Sequence, residues 1–133
     1  MSWSKAVLAG VAAGIATNIV DFVNHGVLLS ETYVSMPEVF AQEQANPAYF
    51  VAISICTGIA ASILFAKTRD SWAAGWTGGA TFGFWLGLVA FFGQFIHSLV
   101  IEGFPYYLGW CWGGTTLIAA IVGGAVLGAI NKG

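Results

Sequence analysis

The sequence predicts an all-α integral membrane protein folded as a four-transmembrane-helix bundle, and three observations carry that prediction. Of 133 residues, 58 % are hydrophobic and only 8 % charged, against roughly a quarter charged in soluble domains, so the chain has too few polar side chains to cover a water-exposed globule. A bilayer span needs about 20 apolar residues, and stretches at about 5–28, 48–66, 72–100 and 105–130 each supply them, leaving little chain outside. The charges are also sorted. Lys5, Lys67, Arg69 and Lys132 fall at the N-terminus, the second loop and the C-terminus, while Glu31, Glu38, Glu43 and Glu102 fall in the first and third loops. With four spans, this excess of cations on one side places both termini in the cytoplasm, N-in and C-in.

The first helix opens at Trp3 and is too long, and too polar near its end, for a signal-peptide core. Gly10, Gly14, Asn18, Asp21 and His25 follow in steps of four, four, three and four, which keeps them on one face. The outer loop over 29–47 contains Ser35-Met-Pro-Glu38. That is the form of a capping box with proline in the first turn, and it predicts a short surface helix over about 36–45. Asn46 caps the second helix, Pro47 opens it, and Ser54, Gly58, Ser62 and Ala66 give it a small-residue stripe.

The third helix, anchored by Trp72 and Trp76, carries Gly75, Gly79, Gly83 and Gly87 at four-residue spacing. This stripe makes a flat groove that another backbone can enter. The same edge continues through Ala90 to Gln94 and His97. Phe82, Phe84, Trp85, Phe91, Phe92 and Phe95 are expected to face lipid, the alternative being a quinone or pigment ring held against them. The fourth helix follows the Gly103-Phe-Pro105 turn, with Tyr106, Tyr107, Trp110 and Trp112 near its start and Thr116, Ala120, Gly124 and Gly128 as its stripe. His25-Gly-Val-Leu-Leu-Ser-Glu31 parallels His97-Ser-Leu-Val-Ile-Glu102, and Pro47-Ala-Tyr-Phe parallels Pro105-Tyr-Tyr-Leu. The two helical hairpins are therefore expected to be parallel repeats about an axis along the membrane normal.

If the first and third helices pack by their glycine faces, Asn18, Asp21, His25, Gln94 and His97 converge. Polar groups in lipid are costly unless paired, so the cluster is expected to act as interhelical hydrogen-bonded glue, with Asp21 paired to an imidazole or carboxamide. Two alternatives stand beside it: an ion or proton path through Asp21 and the histidines, or haem or metal ligation by His25 and His97. Direct glycine contact leaves little width for the second of these. Cys56 and Cys111 lie inside spans, where cysteine acts as a small apolar residue. No nucleophile elbow, phosphate loop, CxxC pair or basic patch is present, so no catalytic residue, metal or cofactor is assigned and nucleic acid is not an expected partner.

Asn18-x-x-Asp21 followed by Gly26-Val-Leu-Leu, with Tyr33 and Met36 downstream, resembles small bacterial four-helix membrane proteins grouped as a domain of unknown function. The resemblance covers the first helix and the outer loop. It implies a four-span fold in a bacterial inner membrane and carries no activity. The function expected is that of a non-catalytic accessory or structural subunit of a larger membrane complex, an energy-transducing one among the candidates. It would touch lipid and other membrane subunits or copies of itself. A small oligomeric transporter or channel, and a haem-, quinone- or pigment-binding protein, are the alternatives.

Overall fold

The computed structural model describes residues 2–40 and 46–131, and every regular element among them is helical. Helix α1 (Trp3–Asp21) runs on as a π-helical turn over Phe22–Leu28. Short α2 (Ser30–Val34) follows, then α3 (Pro47–Lys67), a 3-10 turn (Arg69–Ser71), α4 (Gly75–Gly93), short α5 (Ile96–Val100) and α6 (Tyr106–Ile130). Four stretches are long and apolar enough to cross a membrane: Trp3–Leu28, Pro47–Lys67, Gly75–Val100 and Tyr106–Ile130. The end holding Ser2, the Thr68–Ala74 turn and Asn131 is called the base here, and the opposite end the apex.

Local chemistry sets the boundaries. Ser2 Oγ accepts from the Lys5 N–H at 3.3 Å and Asn46 Oδ1 from the Ala48 N–H at 3.0 Å. Each satisfies one of the N–H groups a helix start leaves free. The third span opens at Gly75 rather than Trp72, because Trp72 is extended (φ −120°, ψ 145°) and Gly75 turns the chain with φ +78°. It also breaks after Gly93, where the Gln94 and Phe95 N–H groups donate to Phe91 O and Phe92 O three residues back.

The surface helix expected over about 36–45 is corrected in its described part, residues 41–45 lying outside the described residues. Ser35 is the αR C-cap of α2 (φ −70°, ψ −12°), not the extended N-cap a capping box requires. Its Oγ donates back to Thr32 O at 2.7 Å. Residues 36–40 form a turn in which the Val39 and Phe40 N–H groups both donate to Met36 O at 3.1 Å.

The expected pairing of the first and third spans is also corrected. Gly10 and Gly14 of α1 lie against the α3 backbone at Ser54, Ile55, Gly58 and Ile59, so close that a Cβ on Gly10 would stand 2.5 Å from Ile59 Cα. On α4, Gly79 lies against Gly124 and Gly128, Gly83 against Ala120 and Ile121, and Gly87 against Leu117 and Ala120. Each glycine face thus takes the small-residue face of the next span in the chain. Gly75, expected in the stripe, serves the turn; a Cβ there would meet nothing, although its carbonyl borders Gly128.

The two hairpins, α1 with α3 and α4 with α6, join along one seam between α1 and α6, where Thr17 packs on Gly123. At the base Ala9, Ala13, Phe65, Phe82 and Leu127 form a core with Trp72 against it. Phe65 and Phe82, 5.1 Å between ring centroids, tie α3 to α4 there. Above them α3 and α4 separate, so the helices follow the order α3–α1–α6–α4 around an open arc. A strict twofold relation between the hairpins would repeat the α1–α6 seam as an α3–α4 seam, and the arc lacks it.

The lipid-facing reading of the α4 aromatics holds for only some of them. Phe84, Trp85 and Phe92 are exposed, Phe82 is only 4 % exposed, and Phe91 and Phe95 pack on Trp110 across Gly109 and Gly113. Three substitutions check this packing by thermal unfolding in detergent. Gly83→Leu drives a branched side chain into the Ala120 carbonyl and should abolish the folded bundle. Phe82→Ala should cost about 3–5 kcal/mol. Gly114→Ala, whose Cβ would meet nothing within 4 Å, should leave the melting temperature unchanged.

Candidate functional site

The five polar residues expected to converge are distributed over three places. The reason lies in the π-turn over Phe22–Leu28. Its wider i→i+5 bonding breaks the four-residue register that would keep His25 above Asp21, and His25 turns toward α6. There its Nδ1 lies 2.5 Å from the Tyr33 hydroxyl, which is also 2.7 Å from Trp112 Nε1. Indole nitrogen only donates. Tyr33 Oη therefore accepts from Trp112, and the same hydroxyl is hydrogen-bonded to His25 Nδ1.

His97 sits on the same indole, with ring centroids 5.2 Å apart against 5.8 Å for His25 and Trp112. Its Nδ1 is 2.9 Å from Gln94 O, an acceptor, so that nitrogen carries hydrogen. The structure therefore brings the two histidines to one tryptophan. Phe40, Phe104 and Leu108 close this apical cluster beneath the turn at Gly103, whose φ of +80° suits glycine. Among the described residues no group of three or more His, Cys, Asp or Glu side chains is placed to hold a metal ion.

The remaining three do not join them. Asn18 Oδ1 accepts from Ser54 Oγ at 3.2 Å, bonding α1 to α3. Gln94 meets His97 through its backbone carbonyl, not its carboxamide. Among the described residues Asp21 has neither an imidazole nor a carboxamide beside it; it lines a lateral cleft of about 480 Å³ between α3 and α4, floored by α1 and α6. Thr17, Ser54, Thr57 and Thr116 are the other polar side chains in a lining that is otherwise aliphatic and aromatic.

Residue patterns did not point to Tyr33 as the hub of the apical cluster. The signals available were two aromatics, Tyr33 and Phe40, in the loop opposite the tryptophan-rich start of α6. At the base Arg69 holds the ends of three elements. Its Nη1 donates to Trp72 O at 2.8 Å and to Ala73 O at 3.3 Å, its Nε donates to Asn131 O at 3.3 Å, and its guanidinium lies 5.5 Å from the Phe65 ring centroid.

Tyr33→Phe would strand both the Trp112 N–H and the His25 Nδ1, at about 1–3 kcal/mol for each group left buried without a partner. A lowered melting temperature with altered tryptophan fluorescence is expected. Burial pushes the Tyr33 phenol up to about 12; the bond from Trp112 opposes this shift and nearby Cys111 adds to it. The folded state then holds this proton more tightly than the unfolded chain, whose tyrosine titrates near 10. Stability from Tyr33 should be intact below pH 10 and lost as pH rises toward 12, a loss absent from Tyr33→Phe in pH-dependent melts.

Compared with protein-family models, with curated proteins and with solved structures, the chain matches none.

Proposed function

We propose that the chain inserts into a bacterial inner membrane with both termini cytoplasmic and serves as a non-catalytic subunit that packs against further membrane helices. One observation carries the reading. Helix α3 uses Ser54, Gly58 and Ser62 against α1, all three buried, and presents a second small-residue stripe, Ala48, Ala52, Cys56 and Ala60, that is exposed along its whole length. Lipid tails gain nothing from small residues, whereas a neighbouring helix gains backbone approach and dispersion contact. The partner is a helix of another subunit or of a second copy of this chain.

The transporter reading is favoured by a different observation, the Asp21 side chain lining the cleft, since acids within spans mark ion and substrate paths. The two readings separate at α3. Ala52→Leu should strip co-purifying polypeptides, or dissociate a homo-oligomer, in mild detergent while leaving the melting temperature within a few degrees of the parent. Unchanged assembly would remove the subunit reading. Topology is checked by reporter fusions, which should read cytoplasm after Asp70 and after Asn131 and the outer side after Glu38. An outer-side signal after Asn131 would overturn the four-span insertion.

A further inference from the structure

We infer that the cleft between α3 and α4 is a binding site for an elongated hydrophobic organic cation, held by the Asp21 carboxylate. Shape comes first. The cleft extends along α6 from Thr116 to Leu127, about 16 Å at 1.5 Å per residue. Its volume of about 480 Å³ falls within the ordinary range for ligand pockets, about 300–1,000 Å³, and its length suits an extended chain.

Polarity decides which slender molecule. Thr17 Oγ1 donates to Gly14 O at 2.9 Å and Ser54 Oγ to Asn18 Oδ1 at 3.2 Å, so both of these hydroxyl protons are engaged within the bundle. Among the described residues no lysine, arginine, histidine, asparagine or tryptophan lines it, and its one ionisable group is Asp21. A carboxylate so placed is costly unless a proton or a counter-ion neutralises it. A mostly aliphatic cleft that holds one acid and no basic group among the described residues suits a cation, which enters as the carboxyl proton leaves. The gap between α3 and α4 gives that cation a path from the side, within the bilayer. The inference rests on the membrane reading above; the site lies on one chain, and Ala60 belongs both to its lining and to the exposed α3 stripe.

The test measures binding of dodecyltrimethylammonium, with dodecanol as the neutral chain of equal length, to the purified chain in maltoside micelles by isothermal titration calorimetry. The parent protein should bind the cation saturably and at least tenfold more tightly than the alcohol, and more weakly as pH falls and protons compete for Asp21. Asp21→Asn should lose at least tenfold in affinity for the cation and all of its pH dependence. Thr57→Trp, at an exposed α3 position facing the cleft, should also weaken binding, and Glu102→Gln should not. Thermal unfolding of each variant shows that it is folded; if Asp21→Asn is not, the charge selectivity and pH dependence of the parent still decide. Equal binding of cation and alcohol, pH-independent binding, or no saturable binding by the folded parent would each overturn the inference.

Discussion

The whole arrangement depends on backbone touching backbone. In lipid, helices gain nothing from hiding apolar side chains, and close approach with many dispersion contacts replaces the hydrophobic drive. Here the approach is made where Gly79 and Gly83 meet Gly124 and Ala120, and where Gly10 and Gly14 meet Gly58. At these points a methyl group on any of the glycines would overlap the partner's main chain. The contacts fix which helices pair and at what height, and Ser62 Oγ, donating to Ala6 O at 2.7 Å in a fully buried position, adds a polar bond inside one of them.

The two hairpins join along a single seam between α1 and α6. The rest is done at the two ends. At the base Phe65, Phe82, Trp72 and Arg69 draw α3, α4 and the end of α6 together. At the apex Tyr33, Trp112, Phe104 and the two histidines lock the outer loop onto the start of α6. Between the ends nothing draws α3 to α4, and the cleft lined by Asp21 is what remains. The openness of the arc and the exposed stripe of α3 therefore go together, in a fold whose tight backbone contacts lie within the hairpins.

Much of this was legible in the sequence. Hydropathy marked the four long helices, Asn46-Pro47 marked the start of α3, and the spacing of glycines marked the faces that touch. Which stripe meets which was not legible, because Gly79-Gly83-Gly87 is as complementary to Gly10-Gly14 as to Ala120-Gly124-Gly128; proximity along the chain decided. The polar site was misread for a local reason. A four-residue count carries His25 onto the face of Asp21 only if the helix stays α, and the π-turn at Phe22–Leu28 has no signature in residue type. Ser35-Met-Pro-Glu38 misled likewise: the motif is right for an N-cap, but Ser35 already closes the helix before it. Phe82 was read with its lipid-facing neighbours because a helix rich in apolar residues on every side gives periodicity nothing to distinguish.

The central claim is that the bundle is an arc open between α3 and α4, and a distance measurement tests it most directly. With Cys56 and Cys111 replaced by serine, spin labels at Thr57 and Val89, both exposed and lining the cleft, would be compared in nanodiscs with labels across the packed α4–α6 pair at Thr81 and Val122. The open arc predicts a longer distance for the first pair than for the second, whose helices lie at the closest spacing glycine contact allows. Equal distances, as in a bundle closed on all sides with axes about 8–10 Å apart, would contradict it.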